Sequence, residues 1–573
     1  MKNQQAAEPN AAAAMVYITM LQSLSVLCRM KPNTTGPTKP AKLPSMFIVE
    51  ETVAVYCLPI STQVFQEIGM VRSPQKLAAD INSIGITTPG TLGMKQIRIA
   101  LPKKPKIATH LRGTDSGRKP DTIEPRPPAA SGIIAITGAG TGEGPGGTNR
   151  GEGPLGDTRA WDLTTGKLLW TFHTVPRPGE MGFDSWEPGS TRNRSGNNVW
   201  GHMTVDSERG ILYMPIGAPN FDRAGVGRAG DNLFSNCIVA VDVRTGKYLW
   251  HFQVTRHDVW DYDAGSPPTL IDVKRDGKII PAIIATNKSS LVFILDRVTG
   301  KPLYDVIDKP VPHDSTIPGE KLSPTQPYPS RPEPLARTTF SRAELYKGVA
   351  SHQAYCEKLV DDNQMILVPQ YSPMVLGRYT LHLPASQGGI NYYGGSFDPD
   401  RRLYIVNINN LAQAIRVVKR ADGSYNNEGE FAGLRRLWDP SNDNMPCTAT
   451  PWGQLVAVNV DTGEIAWRKT LGVTDSFPAG LQDTGRPGLG GTILTASGLT
   501  FIGATTDRRF RAFDTASGKE LWTTRLPASA QATPATYQGA DGRQYVVVTA
   551  TGGGIVGAAL ESDQLVAFAL PKS

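Results

Sequence analysis

The chain of 573 residues carries 59 Gly and 45 Pro and only 19% charged residues, which excludes a coiled coil or a long-helix protein, while 39% hydrophobic residues exclude general disorder. Its net charge of +7, from 59 Lys and Arg against 52 Asp and Glu, is scattered along the chain and gives no basis for a nucleic-acid partner. What remains is a turn-dense, β-rich globular protein, and for this length and composition one large repetitive architecture is favoured over several ordinary domains.

Residues 1–130 contain no Trp, although ten follow from Trp161 onward. Ala11 to Leu27 makes a poor secretion signal, with a lone Lys2 before it and an apolar middle broken by Thr19, Gln22, Ser23 and Ser25. No run of 18 apolar residues exists, so a spanning helix is not expected. Lys103-Lys-Pro-Lys106 and the Pro-rich Pro120 to Pro128 read as a loosely structured appendage with no assignable role.

Beyond it the chain repeats itself. Asp162-Leu-Thr-Thr-Gly-Lys-Leu-Leu-Trp170, Asp242-Val-Arg-Thr-Gly-Lys-Tyr-Leu-Trp250 and Asp296-Arg-Val-Thr-Gly-Lys-Pro-Leu-Tyr304 share one pattern, which returns as Asn459-Val-Asp-Thr-Gly-Glu-Ile-Ala-Trp467 and Asp514-Thr-Ala-Ser-Gly-Lys-Glu-Leu-Trp522. Each reads as strand, tight turn, strand: the Thr-Gly or Ser-Gly pair supplies φ above zero, and apolar alternation flanks it. The terminal aromatic is expected to cover the edge of the neighbouring sheet. Successive aromatic ends lie 80 (170 to 250), 54 (250 to 304) and 55 (467 to 522) residues apart, which suits a four-stranded blade with insertions. One such sheet cannot bury its own face, so the pattern predicts radial stacking into an all-β propeller. Residues 305–345 interrupt the repeat with eight prolines from Pro310 to Pro334, too many for sheet or helix, and are expected to form an extended excursion over the surface. The five cysteines, Cys28, Cys57, Cys237, Cys356 and Cys447, have no metal-binding spacing; most read as buried or free thiols, with Cys356 and Cys447 a candidate disulfide.

At Trp200-Gly, Ile216-Gly-Ala-Pro, His257-Asp-Val-Trp-Asp-Tyr-Asp263 and the Thr-Gly-x-x-x-Trp repeats, residues 131–573 resemble the quinoprotein dehydrogenases that use pyrroloquinoline quinone (PQQ), most closely the glucose dehydrogenase branch. The resemblance implies an eight-bladed-type propeller, its first blades missing or aberrant in residues 1–130, holding PQQ on its axis with calcium or another divalent cation. Such chemistry needs a base, an electrophilic activator and a flat floor for the cofactor. By correspondence the base is Asp261, the activator is Lys288 in Ala285-Thr-Asn-Lys-Ser-Ser, and the floor is Trp200 in Asn197-Asn-Val-Trp-Gly. Asp258, Asp261 and Asp263 could instead simply cap a loop, and the functional reading is applied to Asp261 alone. Asn391 in Gly388-Gly-Ile-Asn matches an amide contact to the cofactor, and Gly490 and Gly491 would let the backbone approach it. Glu143 in Gly140-Thr-Gly-Glu-Gly is the counterpart of the metal's carboxylate ligand, with Asp261 as a second donor; Ala218 stands where methanol-type enzymes carry Asn.

The chain lacks an adjacent Cys-Cys pair and a C-x-x-C-H, so no fused haem domain is expected and electrons would pass to an external quinone or cytochrome. The resemblance implies the periplasm or cell envelope and a sugar or alcohol substrate. The competing reading is a noncatalytic propeller, a scaffold or envelope assembly protein, to which the aberrant N-terminal stretch points. A nicotinamide enzyme is disfavoured because Gly140-Thr-Gly-Glu-Gly sits among β-repeats without a strand-to-helix transition.

Overall fold

The computed structural model describes residues 15–16, 47–48, 134–140, 151, 153–428, 437–553, 556 and 558–570. The chain divides into two compact units, one comprising Met1–Ile48, Ile136–Ala160 and Leu169–Ser573, the other Val49–Ala135 and Trp161–Leu168. Of residues 1–130 only the two-residue strands Met15–Val16 and Phe47–Ile48 are described, so the expectation for that segment lies outside the described residues. In the smaller unit the turn after Asp162 is described: the carboxylate accepts the Thr164 and Thr165 amides at 2.7 and 3.0 Å.

The sheets of the larger unit that follow the repeats are antiparallel. Thr204–Asp206, Ile211–Pro215, Cys237–Asp242 and Tyr248–Gln253 pair in chain order, as do Thr492–Leu494, Leu499–Ile502, Arg509–Asp514 and Glu520–Arg525. Between them Thr269–Arg275, Lys278–Thr286 and Val292–Asp296 form three strands, extended only by a bridge from Leu295 to Pro302. Gly395–Asp398, Leu403–Asn409, Gly453–Asn459 and Glu464–Thr470 make a further sheet, interrupted by a long excursion between its second and third strands. Ala535–Gln538, Gln544–Gly553 and Ala558–Ala569 close the series, and Met15–Val16 pairs with the last of these. The architecture is an all-β propeller.

Period-two alternation explains why a sheet in the series is buried on both faces. In Lys278–Thr286, Ala282 and Ile284 pack with Tyr404, Val406 and Val456 of one neighbour, whereas Ile283 and Ala285 pack with Tyr213, Ile238 and Ala240 of the other. The core therefore lies between the sheets rather than beneath any one of them.

The turn residues have two tasks. The Asp or Asn carboxyl or amide oxygen accepts successive turn amides: Asp242 from Arg244 and Thr245 at 3.1 and 2.9 Å, Asp296 from Val298 and Thr299 at 2.9 Å each, Asn459 from Asp461 and Thr462 at 3.0 and 3.2 Å. The Gly adopts φ of 66–73° and is also the seat of the preceding sheet's aromatic ring. Trp170 lies on Gly246, Trp250 on Gly300, Tyr304 on Gly463 and Trp467 on Gly518, and a Cβ on these glycines would come within 2.6, 2.6, 3.0 and 2.7 Å of the ring. Each ring also donates to a backbone carbonyl beyond the edge: Trp170 to Val243, Trp250 to Arg297, Tyr304 to Val460 and Trp467 to Thr515, at 3.0–3.2 Å. Tyr304 thus latches onto a turn 156 residues away, which keeps the ring of sheets continuous across the excursion that follows it.

This double constraint gives a measurable expectation. Gly300→Ala should cost about 2–4 kcal/mol in denaturant unfolding, from left-handed strain plus displacement of Trp250. Gly277→Ala, at φ 71° with open space around it, isolates the strain alone and should cost less.

The Pro-rich stretch departs from expectation. Val306–Pro310 and Thr325–Pro329 form an antiparallel ladder with Val306 opposite Pro329, Asp308 opposite Pro327 and Pro310 opposite Thr325. The prolines fall at every second place, so the ladder's N–H groups come from the intervening residues, as a two-stranded ribbon permits. Nor does the stretch stay on the surface: Leu335 and Ala336 are buried, and the Leu335 amide donates to Ser290 O at 3.2 Å. Beyond it the helix Ala350–Asp362 buries His352, Cys356 and Val360 at four-residue spacing, and a disulfide joins Cys356 to Cys447. Cys237 is a buried free thiol; Cys28 and Cys57 lie outside the described residues.

Candidate active site

Asp261 lies on the connection from the outer strand Tyr248–Gln253 to the inner strand Thr269–Arg275, and Lys288 on the connection between Lys278–Thr286 and Val292–Asp296. In consecutive sheets of a propeller these connections emerge on the same face, which brings together two residues 27 apart. Lys288 Nζ stands 2.5 Å from Asp261 Oδ1 and 2.6 Å from Asp263 Oδ2, and 5.3 Å from the centroid of the Trp200 ring. Three residues singled out in the sequence therefore form one cluster.

Asp258 behaves as a loop cap. Its carboxylate accepts the Trp260 and Tyr262 amides and the Asn236 side-chain amide, each at 2.7 Å. This capping lets the chain turn through left-handed conformations at His257 and Asp261, with φ of 44° and 60°. Burial pushes the Asp258 carboxyl up to about 6 against the lowering effect of the Trp260 amide.

Asp263 and Arg223 were not anticipated as members of the site. Asp263 grips Lys288 with one oxygen and the Ala218 amide, at 2.5 Å, with the other, while its backbone carbonyl accepts the Lys288 amide at 3.1 Å. Arg223 Nη2 donates to Asp261 Oδ2 at 3.1 Å from a fully buried position. The sequence did hold a signal for Asp263, the second-position spacing from Asp261, but Arg223 sits on another sheet's excursion, 38 residues upstream, and had none.

Two cations and two carboxylates thus alternate as Arg223, Asp261, Lys288, Asp263. Burial opposes charge on Asp261, Asp263 and Lys288, and the outcome differs between the carboxylates. Burial raises the Asp261 carboxyl well above its usual range; Lys288 pulls it down, but the charge of Asp263 adds to the rise. For Asp263 burial is outweighed by Lys288 and by its other hydrogen bonds, and the carboxyl stays below the usual range. Lys288, despite burial, is held charged by both carboxylates, its pKa raised. A proton arriving at this cluster therefore goes to Asp261, and environments that push two carboxyls apart assign acid–base roles. Asp261 also keeps the most exposed side chain of the cluster, at 17% against 11% for Asp263 and 9% for Lys288, so it is the carboxylate a ligand can reach.

The Trp200 indole lies against glycine backbone. A Cβ on Gly265 would come 2.2 Å from Trp200 Cζ2, and one on Gly217 would come 3.0 Å from Nε1, so side chains here would push the ring out of place. That cradle, with an ammonium at the ring, fits a flat anionic cofactor stacked on the indole. Asn391 is buried in a loop whose Gly388 packs on Lys288 and whose Gly389 packs on Ser290, the Gly389 amide donating to Lys288 O at 3.0 Å; its own amide group donates to Gln387 O at 2.6 Å and accepts from the Tyr392 amide at 2.6 Å. Gly490 and Gly491 make close approaches to Ala504, Ala530, Tyr393 and Thr533, and Gly490 O accepts from Asn407 Nδ2 at 3.3 Å. Glu143 lies outside the described residues. Among the described residues no group of three or more His, Cys, Asp or Glu is placed to hold a metal.

Residues 109–546 match the family model described as PQQ glucose/ethanol/alcohol dehydrogenase, β-propeller domain, which begins upstream of residue 131, where the resemblance was expected to start. Quinoprotein glucose dehydrogenase A of Acinetobacter calcoaceticus is 34% identical over 446 residues, 73% of this chain and 54% of the relative. The quinate/shikimate dehydrogenase (quinone) of Acinetobacter baylyi is 32% identical over 448 residues, 73% of this chain and 54% of the relative. The crystal structure of the quinohemoprotein alcohol dehydrogenase from Comamonas testosteroni superposes with a TM-score of 0.52 at 23% identity, over 78% of this chain and 62% of that one, a likeness of fold. The chain spans about half the length of the curated relatives it matches. With the family model covering most of the chain, the repeats forming propeller sheets and the His-Asp-x-Trp-Asp loop at their face, the chain belongs to the PQQ-dependent glucose/ethanol/alcohol dehydrogenase β-propeller family.

Proposed function

We propose that the chain is a PQQ-dependent oxidoreductase that oxidises a CH–OH group of an aldose sugar, glucose-like, and passes electrons to an external quinone or cytochrome. The observation that carries this reading is a reachable carboxylate, Asp261, 2.5 Å from an ammonium that stands at the face of Trp200. Bound PQQ would supply the two-electron acceptor. Trp200, seated on Gly217 and Gly265, offers the face on which a planar ring stacks. Asp261 accepts the proton of the substrate hydroxyl, and Lys288 stabilises negative charge that gathers on a neighbouring oxygen, where a fixed cation acts without reorganising. Asp263 keeps Lys288 in place through the Ala218 amide.

Asn391, Gly490 and Gly491 are the further cofactor contacts in this reading. Calcium, or another hard divalent cation, would be held by Asp261 with Glu143, carboxylate oxygens being the donors such ions take. A periplasmic or envelope location is supported by the Cys356–Cys447 disulfide, which belongs to an oxidising compartment. Among the described residues no helix is long and apolar enough to cross a membrane.

An alcohol or polyol substrate is the second reading, favoured by the similar identity of the relative named for quinate and shikimate. The test is dye reduction by purified protein loaded with PQQ and calcium. Glucose is expected to drive reduction more efficiently than ethanol or glycerol. Reduction by ethanol or glycerol alone would move the assignment to the second reading. Failure with every substrate, together with no binding of PQQ, would leave a noncatalytic propeller.

A further inference from the structure

Asp261 is held from two sides, and only one of its partners belongs to the catalytic reading. Lys288 meets Oδ1 and faces Trp200; Arg223 meets Oδ2 from a fully buried position. The two carboxylates that share Lys288 also differ in their second support. Asp263 is tied to a backbone amide, that of Ala218, whereas Asp261 is tied to a guanidinium. A carboxylate on a residue at φ 60°, outside any strand, has no regular backbone ladder to fix its direction. Removing either support leaves it free to swing toward the other cation.

We propose that Arg223 is a positioning residue for the reaction: it anchors Asp261 Oδ2 so that the opposite edge of the carboxylate, beside Lys288, is presented to the substrate hydroxyl. Arg223 touches neither substrate nor cofactor, and it acts through Asp261. A guanidinium suits the task because it stays charged when buried. The proposal rests on Asp261 being the base.

The experiment compares Arg223→Gln and Arg223→Lys with the wild-type chain, each loaded with PQQ and calcium, with turnover expressed per bound PQQ. Misdirecting a reacting group by about 1 Å can cost roughly 100-fold, so kcat for Arg223→Gln should fall about 10- to 100-fold while KM and PQQ affinity stay within about threefold. Arg223→Lys, which keeps the charge and most of the volume, should fold as the wild type and recover part of that loss. A second readout needs no cofactor: in a double-mutant cycle of denaturant unfolding, Arg223→Gln should destabilise the wild-type background more than the Asp261→Asn background. Unchanged kcat per bound PQQ, or an equal unfolding cost in both backgrounds, would overturn the proposal. Wild-type protein that binds PQQ yet turns over no substrate would instead overturn the dehydrogenase reading, and this proposal with it, even if the cycle shows the two side chains coupled.

Discussion

Asp261→Asn is expected to reduce turnover by a factor on the order of 10²–10⁴, the range a positioned general base supplies, while PQQ affinity changes only severalfold. The amide keeps the volume of the carboxylate and one acceptor oxygen, so a single partner among Lys288 and Arg223 can still be satisfied. What it cannot do is take a proton. Turnover per bound PQQ separates the two roles: equal loss of binding and turnover would make Asp261 a structural cap like Asp258. The wild-type protein should also show an acid limb. Asp261 works as a base only when ionised, so as pH falls the carboxylate becomes protonated and activity is lost. The limb should be absent from whatever residual activity Asp261→Asn retains.

Lys288→Met should damage both activity and stability. The substitution leaves Asp261 and Asp263 facing each other in a largely buried place, and breaking a buried ion pair by removing one partner costs about 3–5 kcal/mol. Loss of the fixed cation should lower kcat by about 10²–10³. The two effects can be told apart through Asp263→Asn. In the double variant the stranded charge is gone, so much of the unfolding cost should return while kcat stays low. Equal unfolding costs for Lys288→Met with and without Asp263→Asn would mean that the cluster is not electrostatically coupled.

The repeat was legible because turn geometry leaves few choices. An oxygen that accepts two amides, a Gly that tolerates positive φ and an aromatic ring that needs a seat recur at fixed offsets, and Asp242, Gly246 and Trp250 show all three. What the spacing alone did not reveal was that Trp170, Trp250, Tyr304 and Trp467 seat on the next sheet's Gly, so that one residue type serves both constraints. The hairpin in the Pro-rich stretch was missed because counting prolines ignores their parity; Pro327 and Pro329 sit two apart and leave the ladder donors untouched. The helix Ala350–Asp362 has a faint apolar stripe, since His352 and Cys356 occupy two of its three buried places.

For the site, Asp261, Lys288 and Trp200 were readable because the segments that carry them, His257-Asp-Val-Trp-Asp, Ala285-Thr-Asn-Lys and Asn197-Asn-Val-Trp, resemble those of a known family. Arg223 was not, because its contact with Asp261 joins two sheets through an irregular excursion that carries no periodicity. The amide of Asn391 shows the same limit: the resemblance gave it only as a cofactor contact, whereas its place beside the Lys288 loop and its hydrogen bonds to Gln387 and Tyr392 are fixed only by the folded loop.

The most direct measurement is a titration of the purified protein with PQQ in the presence of calcium, read by tryptophan fluorescence in the wild type and in Trp200→Phe. A saturable quench at one PQQ per chain is expected for the wild type, and most of it should vanish in Trp200→Phe even though the phenyl ring still allows binding. An undiminished quench in the variant, or no saturable binding by the wild type, would contradict a cofactor seated on Trp200 beside Asp261 and Lys288.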